Sequence, residues 1–204
     1  IVRTAENEAV GAPTGIMDQV AVRFAREDAA VFLDCRDLAI ESIDLGLAAA
    51  GCTMLVVDTH ESHAHATGGY AQRRASCERA AAALGIPSLR EATLPTLLAA
   101  GLDEETTRRA RHVITENERV LETVAALRAG DVRGIGALLL ASHASMRADF
   151  EISTPALDLA VDTAVAAGAI GARMTGGGFG GSAIAVIAEE AVGRMTAAVT
   201  VAFA

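Results

Sequence analysis

Runs of apolar residues predict where the strands of this chain lie. Two of the runs are separated only by Arg36 and Asp37, as the arms of a β-hairpin would be. The run at 53–58 is apolar almost throughout, which is typical of a buried strand, and we expect it in the centre of its sheet. The predicted strands are residues 29–35, 38–45, 53–58, 171–175 and 183–188.

Helical spacing of apolar residues accounts for the other segments. The longest case is residues 104–129, where an apolar stripe runs beside oppositely charged pairs. The predicted helices are residues 1–10, 14 onward, 69–84, 104–129, 135–146, 155–168 and 189 onward. Because helices and strands interleave without a repeated βαβ unit, the predicted fold class is α+β, arranged in layers.

A glycine-rich stretch at 174–182 separates the last two predicted strands. Such a cluster is expected where the backbone needs a positive φ, or where a phosphate or another backbone comes near. Part of it matches the dinucleotide fingerprint G-x-G-x-x-G, but that motif requires a following helix, whereas residues 183–188 predict a strand. A tight hairpin without a ligand remains an alternative. Around the bulky Phe179 the glycines are Gly176, Gly177, Gly178, Gly180 and Gly181.

Asp18 is the first candidate for chemistry. Thr14 is a suitable N-cap for the helix that follows, and this would place Asp18 in the first turn, where backbone N–H groups and the helix dipole favour a carboxylate. A catalytic role is one interpretation. The alternative is that Asp18 only stabilises the helix, by about 0.3–1 kcal/mol, as acidic residues in first turns often do.

A histidine-rich loop follows the third predicted strand. His60, His63 and His65 invite a metal site, but the spacing is not that of a helical zinc pair and no matching ligand cluster follows, so we predict no metal and a polar, substrate-facing loop. Tyr70, the only tyrosine, is either a partly buried contact or a hydroxyl directed into a cleft. His143 is predicted to be a hydrogen-bonded histidine between packed helices.

Composition narrows the class of protein. The chain has 204 residues, and 51% of them are hydrophobic, which is enough to fill a core. The net charge of −9 argues against a nucleic-acid surface, and no apolar run or signal peptide indicates a membrane protein, so we expect a cytoplasmic protein. An odd number of cysteines without C-x-x-C spacing predicts buried thiols rather than a disulfide or zinc site, at Cys35, Cys52 and Cys77.

Taken together, these stretches resemble the galactokinases, a branch of the GHMP family of small-molecule kinases. The resemblance rests on segments that occur in the family's order and span nearly the whole chain. The last of them is specific because it joins Gly-Ala-Arg-Met-Thr to the glycine-rich stretch. The segments are residues 15–19 (Gly-Ile-Met-Asp-Gln), 33–36 (Leu-Asp-Cys-Arg), 63–78, 111–117, 142–147 and 171–181.

This resemblance implies transfer of a phosphoryl group to galactose from ATP, with Mg²⁺. It implies that Asp18 orients the anomeric hydroxyl and can take its proton, and that Gly15 and Tyr70 hold the sugar ring above the glycine-rich stretch. It also implies a GHMP-kinase-like fold, with residues 1–50 as a remnant of the N-terminal α/β domain and residues 51–204 as the layered α+β C-terminal domain.

Two motifs of the family have no counterpart in this sequence. The first carries an Arg partner of the catalytic Asp and further sugar contacts, and the second is the loop that holds the ATP phosphates. In addition, Pro13-Thr14 stands where many members have Pro-Cys or Val-Cys. We therefore expect the C-terminal half to two-thirds of a galactokinase, which alone lacks kinase activity, binds ATP weakly at most and self-associates through bared apolar faces.

Two other functions are compatible with the same resemblance. One is a non-catalytic sugar sensor that binds galactose and ATP to engage a regulatory partner, and the retained Asp18 weighs against it. The other is a GHMP kinase that acts on mevalonate or homoserine, and Tyr70 together with the segment at 15–19 weighs against that.

Overall fold

The computed structural model describes residues 15–61 and 66–204 of the chain. Its helices are α1 (Met17–Phe24), α2 (Ala66–Ala83), α3 (Leu94–Ala99), α4 (Glu104–Arg128), α5 (Ile135–Ser145), α6 (Pro155–Ala166) and α7 (Val192–Ala202). Its strands are β1 (Ala29–Asp34), β2 (Ala39–Asp44), β3 (Cys52–Asp58), β4 (Gly171–Met174) and β5 (Ser182–Ala188). Short 3-10 turns lie at 48–50, 89–91 and 189–191, and a π-helical turn at Met146–Phe150.

The described strands form two antiparallel sheets. β1 and β2 make the predicted hairpin, with Ala29 opposite Asp44. The other sheet has the order β3-β5-β4. The prediction that residues 53–58 lie in the centre of their sheet was wrong, because within the described part of the chain β3 pairs with β5 alone, and Val56 on it is 67% exposed. An apolar run does not distinguish an edge strand from a central one.

Threonine begins two of the helices. α6 starts as predicted, because the side chain of Thr154 accepts a hydrogen bond from the N–H of Leu157 and Pro155 occupies the first helical position. α3 was not predicted from the sequence. Its capping box is built from Thr93 and Thr96, and a threonine where Glu or Gln is usual conceals this signal.

α1 starts later than predicted. Its N-cap is Ile16 rather than Thr14, and Ile16 makes no side-chain capping bond. Asp18 nevertheless lies in the first turn, as expected. Residues 1–14, with the helix predicted at the start of the chain, lie outside the described residues.

Helices cover both faces of the β3-β5-β4 sheet. On one face, α6 and α7 pack on Ala185 and Ile187 of β5, and the cluster includes Leu157 and Met195. On the other face, Val186 of β5 packs against β2, α4 and α5. Since successive residues of a strand point to opposite sides, β5 joins both layers. The layered α+β class is confirmed.

Small residues let these elements come close together. α5 lies directly on β4, where a Cβ at Gly136 would be 2.2 Å from the carbonyl oxygen of Ile170. Ala80 of α2 and Ala110 of α4 are likewise buried in the cluster that those helices share. A chain with 3% aromatic residues thus builds its core by bringing backbones together rather than by filling space with large side chains.

The cysteines differ in their burial. Cys52 is buried and Cys77 is half-buried, and burial raises the pKa of the Cys77 thiol to about 11. Cys35 is exposed, contrary to the prediction, because it lies in the turn of the hairpin and not within β1. All three are free thiols.

Across residues 15–61 and 66–204, no helix is both long and apolar enough to cross a bilayer.

Candidate active site

The glycine loop, residues 175–181, connects β4 to β5 as the sequence predicted. At its base the N–H of Thr175 donates to the carbonyl of Ser182 over 2.9 Å. Positive φ is routine for glycine and unfavourable for residues with a Cβ. The path of the loop therefore requires most of its glycines, since φ is positive at Gly176, Gly178, Gly180 and Gly181.

Two of these glycines also allow another part of the backbone to come close. A Cβ at Gly178 would lie 2.5 Å from the carbonyl oxygen of Ile152, and one at Gly180 would lie 3.1 Å from that of Glu61. By contrast, a Cβ at Gly176 or Gly177 would meet nothing within 4 Å among the described residues. One end of the loop is thus packed against protein, and the other is open.

Phe179, at the tip of the loop, packs on the first turn of α2. A Cβ at Gly69 would be 2.4 Å from the Cζ atom of the Phe179 ring. The guanidinium carbon of Arg73, one helical turn further on, lies 5.4 Å from the centre of the same ring. Tyr70 directly follows Gly69 and is 37% exposed. The structure therefore brings the helix that carries Tyr70 against the glycine loop.

Asp18 and Gly15 lie at the start of α1. Asp18 is exposed in the first turn of this helix, and a Cβ at Gly15 would meet none of the described residues within 4 Å. No side-chain hydrogen bond or ion pair of Asp18 is found in the part of the chain that the structure describes. Contacts of Gly69 and Arg73 thus link the helix that carries Tyr70 to the glycine loop, and the roles of Asp18 and Tyr70 stay predictions.

Glu116 of α4 joins three elements through its carboxylate. Ser142 of α5 donates to Oε1 over 2.5 Å, Arg173 of β4 donates to the same oxygen over 2.9 Å, and Arg119 donates to Oε2 over 2.7 Å. Burial acts to raise the pKa of Glu116, but the Ser142 hydrogen bond and the two arginines outweigh it, so the pKa is lowered. These residues were not singled out individually from the sequence, although the segments 111–117, 142–147 and 171–181 contain three of them.

His112 and its neighbours lie one turn away on α4. Its Nδ1 lies 3.0 Å from the hydroxyl of Ser145, which donates to Asp149 over 3.1 Å. The imidazole also stacks on Phe150, with 4.5 Å between ring centres. Burial lowers the pKa of His112 to about 4, so the ring is neutral at physiological pH.

His143 matches its prediction as a histidine between packed elements. It is buried, and its Nδ1 accepts a hydrogen bond from the N–H of Met174 over 3.3 Å. Its Nε2 lies 3.2 Å from Asp158, close enough for an ion pair but without the alignment of a hydrogen bond. Burial lowers its pKa despite Asp158. His143 thereby fixes the backbone immediately before the glycine loop.

The predicted histidine loop is described only in part. His60 is exposed and lies 3.3 Å from Asp58. His63 and His65 lie outside the described residues. Across the described residues, no group of three or more His, Cys, Asp or Glu side chains is placed to hold a metal ion.

Two cavities that the described residues form lie away from the glycine loop. The larger, of about 870 Å³, lies between β1, α2 and α4 and is lined by Cys35, Cys77 and Asn117 among others. The smaller, of about 180 Å³, lies beneath the hairpin beside Glu116 and Arg173. Neither is lined by the predicted site residues.

The class of the protein follows from comparison with known families. Residues 123–201 match the family described as GHMP kinases C terminal. This segment contains α5, α6, all but the last residue of α7, the glycine loop and the strands on either side of it. The chain therefore contains a GHMP kinase C-terminal domain.

The similar proteins are galactokinases. The chain is 54% identical to the galactokinase of Streptomyces coelicolor over 204 residues, which cover 98% of this chain and 53% of that protein. It is 49% identical to the galactokinase of Mycobacterium tuberculosis over 192 residues, which cover 93% of this chain and 53% of that protein. The predicted resemblance is confirmed, and the chain spans about half the length of the curated relatives it matches.

A solved structure supports the same relationship. The crystal structure of Lactococcus lactis galactokinase complexed with galactose matches this fold with a TM-score of 0.92 at 34% identity. The match covers 98% of this chain and 53% of that one.

Alanine substitutions along the glycine loop should separate its two structural demands. Gly177→Ala should change the free energy of unfolding by less than about 0.5 kcal/mol, because its Cβ meets no described residue within 4 Å. Gly176→Ala has the same open space but a φ of +82°, and should cost about 1–2 kcal/mol. Gly178→Ala combines positive φ with the Ile152 carbonyl and should cost about 3 kcal/mol or more. Chemical denaturation measures all three, and equal effects at Gly177 and Gly178 would contradict this geometry.

His112 should make stability depend on pH. Its pKa is about 4 in the folded protein against 6.5 for a free histidine, so the unfolded chain takes up a proton between these values that the folded chain cannot. Stability is therefore lost as the pH falls from 6.5 to 4, by about 3 kcal/mol from this residue.

Replacing the histidine tests this pH dependence. In His112→Gln the loss of unfolding free energy between pH 7 and 4 should shrink by about 2–3 kcal/mol relative to the parent protein. The matched control is His60→Gln, at an exposed histidine, which should leave the pH dependence within about 0.5 kcal/mol of the parent. An unchanged slope in His112→Gln would contradict the burial of a neutral imidazole.

Proposed function

We propose that the protein phosphorylates galactose at the anomeric oxygen, using ATP and Mg²⁺. The observation that supports this most strongly is the 54% identity to a galactokinase over 98% of the chain. The TM-score of 0.92 against a galactokinase crystallised with galactose adds support from the fold. Since the chain spans about half the length of these relatives, the activity is proposed for the whole protein and not for these 204 residues alone.

The sugar side of the site is the part that this chain supplies. Asp18 lies where the N–H groups and dipole of α1 favour a charged carboxylate, and it orients the anomeric hydroxyl of galactose. No described residue would lie within 4 Å of a Cβ at Gly15, which is compatible with a sugar ring beside it. Tyr70 contacts the ring from α2, and the glycine loop forms the floor. Phosphoryl transfer depends mostly on positioning and charge stabilisation, which is the contribution these residues make.

The nucleotide requires a different kind of binding site from the sugar. A triphosphate is usually held by a glycine-rich loop at a helix N-terminus, together with cations. The glycine loop here leads into β5, and the chain carries a net charge of −9. The described residues therefore do not fit a triphosphate site by themselves, and no step through ATP or Mg²⁺ is assigned to them.

We also propose that the protein is cytoplasmic. We further propose that the domain boundary falls near residue 50. The hairpin β1–β2 precedes this boundary, yet Ile43 on it is buried against Val124 and Leu127 of α4. The two parts would thus share an apolar contact across the division. Such a contact would fix the position of the C-terminal domain relative to the rest of a GHMP kinase.

Substrate choice provides the test of this function. The full-length protein should phosphorylate galactose in preference to mevalonate and homoserine in a coupled ATP assay. Preferential turnover of either alternative substrate would contradict the proposal. Galactose binding by calorimetry without turnover would instead favour the sugar sensor.

The role of Asp18 is tested in the same full-length protein. Asp18→Asn should lower kcat by about 100-fold or more, because the amide lacks the charge that orients the hydroxyl and cannot take its proton. Glu27→Gln is the matched control, since it makes the same carboxylate-to-amide change at an exposed residue just after α1, and it should retain the parent kcat. A kcat near that of the parent in Asp18→Asn would remove Asp18 from the mechanism.

A further inference from the structure

We infer that Phe179 is a positioning residue for the sugar site, because its ring fixes the glycine loop against the turn of α2 that carries Tyr70. This inference rests on the proposed function. According to it, one side chain sets the distance between the glycine loop and the turn of α2 that carries Tyr70. The contacts that link the two parts are made by Gly69 and Arg73 of α2.

The ring is held from the α2 side by two residues one helical turn apart. The Cζ, Cε1 and Cε2 atoms of Phe179 would lie 2.4, 2.7 and 3.0 Å from a Cβ at Gly69, so the far edge of the ring rests on bare helix backbone. The Arg73 guanidinium lies 5.4 Å from the ring centre, within the range of a cation–π interaction. Residues four apart share one face of a helix, so Gly69 and Arg73 contact the ring from the same face of α2.

Hydrogen bonds connect both Arg73 and Phe179 to the segment 150–152. Arg73 is buried, and it donates from Nε to the carbonyl of Phe150 over 2.5 Å and from Nη2 to that of Glu151 over 2.6 Å. The next carbonyl along, that of Ile152, accepts from the N–H of Phe179 over 2.8 Å. The loop tip, the start of α2 and this segment therefore form a closed three-way contact, and Phe179 is the member that links the loop to the helix.

The backbone of Phe179 adopts a conformation that is unfavourable for a residue with a Cβ. Its φ is +62°, in the region where four neighbouring positions of the loop carry glycine. A phenylalanine there is disfavoured relative to glycine. Contacts of its side chain, such as those with Gly69 and Arg73, offset this preference.

The expected kinetic effect is on galactose binding. Phe179→Gly relieves the backbone strain but removes the ring, and Gly69→Ala keeps the ring but displaces it. In the full-length protein each should raise KM for galactose about 10-fold, because a misplaced contact weakens binding, while kcat and KM for ATP change less than about 3-fold. Phe203→Gly is the matched control, since it removes a ring at the C-terminal end of α7, and it should leave all three constants unchanged.

Coupling between the two positions separates positioning from a merely structural role. In the Phe179→Gly background, adding Gly69→Ala should raise KM for galactose by less than about 2-fold further, because the atom that the new methyl would displace is gone. Equilibrium binding of galactose by calorimetry should follow the same pattern.

Three outcomes decide the matter. A 10-fold rise in KM for galactose in both single variants, without additivity, supports the inference. KM for galactose within about 2-fold of the parent, with activity falling only as the folded fraction falls, would overturn it and leave the proposed function standing. A parent protein that neither phosphorylates nor binds galactose would overturn the proposed function, and this inference with it.

Discussion

The partly buried carboxylate of Glu116, whose side chain is 19% exposed, is the constraint on which the rest of the structure depends. A charge removed from water is tolerated only when it is paired and hydrogen-bonded, because an unpaired buried charge costs several kcal/mol. Glu116 meets this demand with groups from three elements: Arg119 on its own helix, Ser142 on α5 and Arg173 on β4. The relative positions of α4, α5 and β4 are therefore set by one polar centre as well as by the apolar layers around it.

The position of the glycine loop depends on the hydrogen bonds around Glu116. Arg173, while paired with Glu116, donates from Nε to the carbonyl of Met174 over 3.0 Å, and His143 accepts from the N–H of the same residue. Both backbone groups of Met174 are thus occupied just before the loop begins. The loop leaves a fixed base, turns through its positive-φ glycines, and is held again at its tip by Phe179 on α2.

Local patterns in the sequence predicted local structure well and tertiary placement poorly. The strand, glycine loop and strand at 171–188 were predicted because apolar runs and glycine punctuation are written in neighbouring residues. The central position expected for residues 53–58 was wrong, since sheet order depends on partners more than 100 positions away. The Glu116 centre was not predicted for the same reason, because its members are up to 57 residues apart and each is an ordinary residue in its own segment.

The most direct measurement is a double-mutant cycle on Glu116 and Arg173, with unfolding free energies from chemical denaturation of Glu116→Gln, Arg173→Met and the double variant. The coupling energy should be about 2 kcal/mol, because the removal of either partner takes an ion pair from a charge that is largely shielded from water. Glu41 and Arg128, an exposed pair at 2.6 Å, provide the matched control and should couple by less than about 1 kcal/mol. A coupling energy for Glu116 and Arg173 no larger than that of the exposed pair would contradict the role assigned to the Glu116 carboxylate.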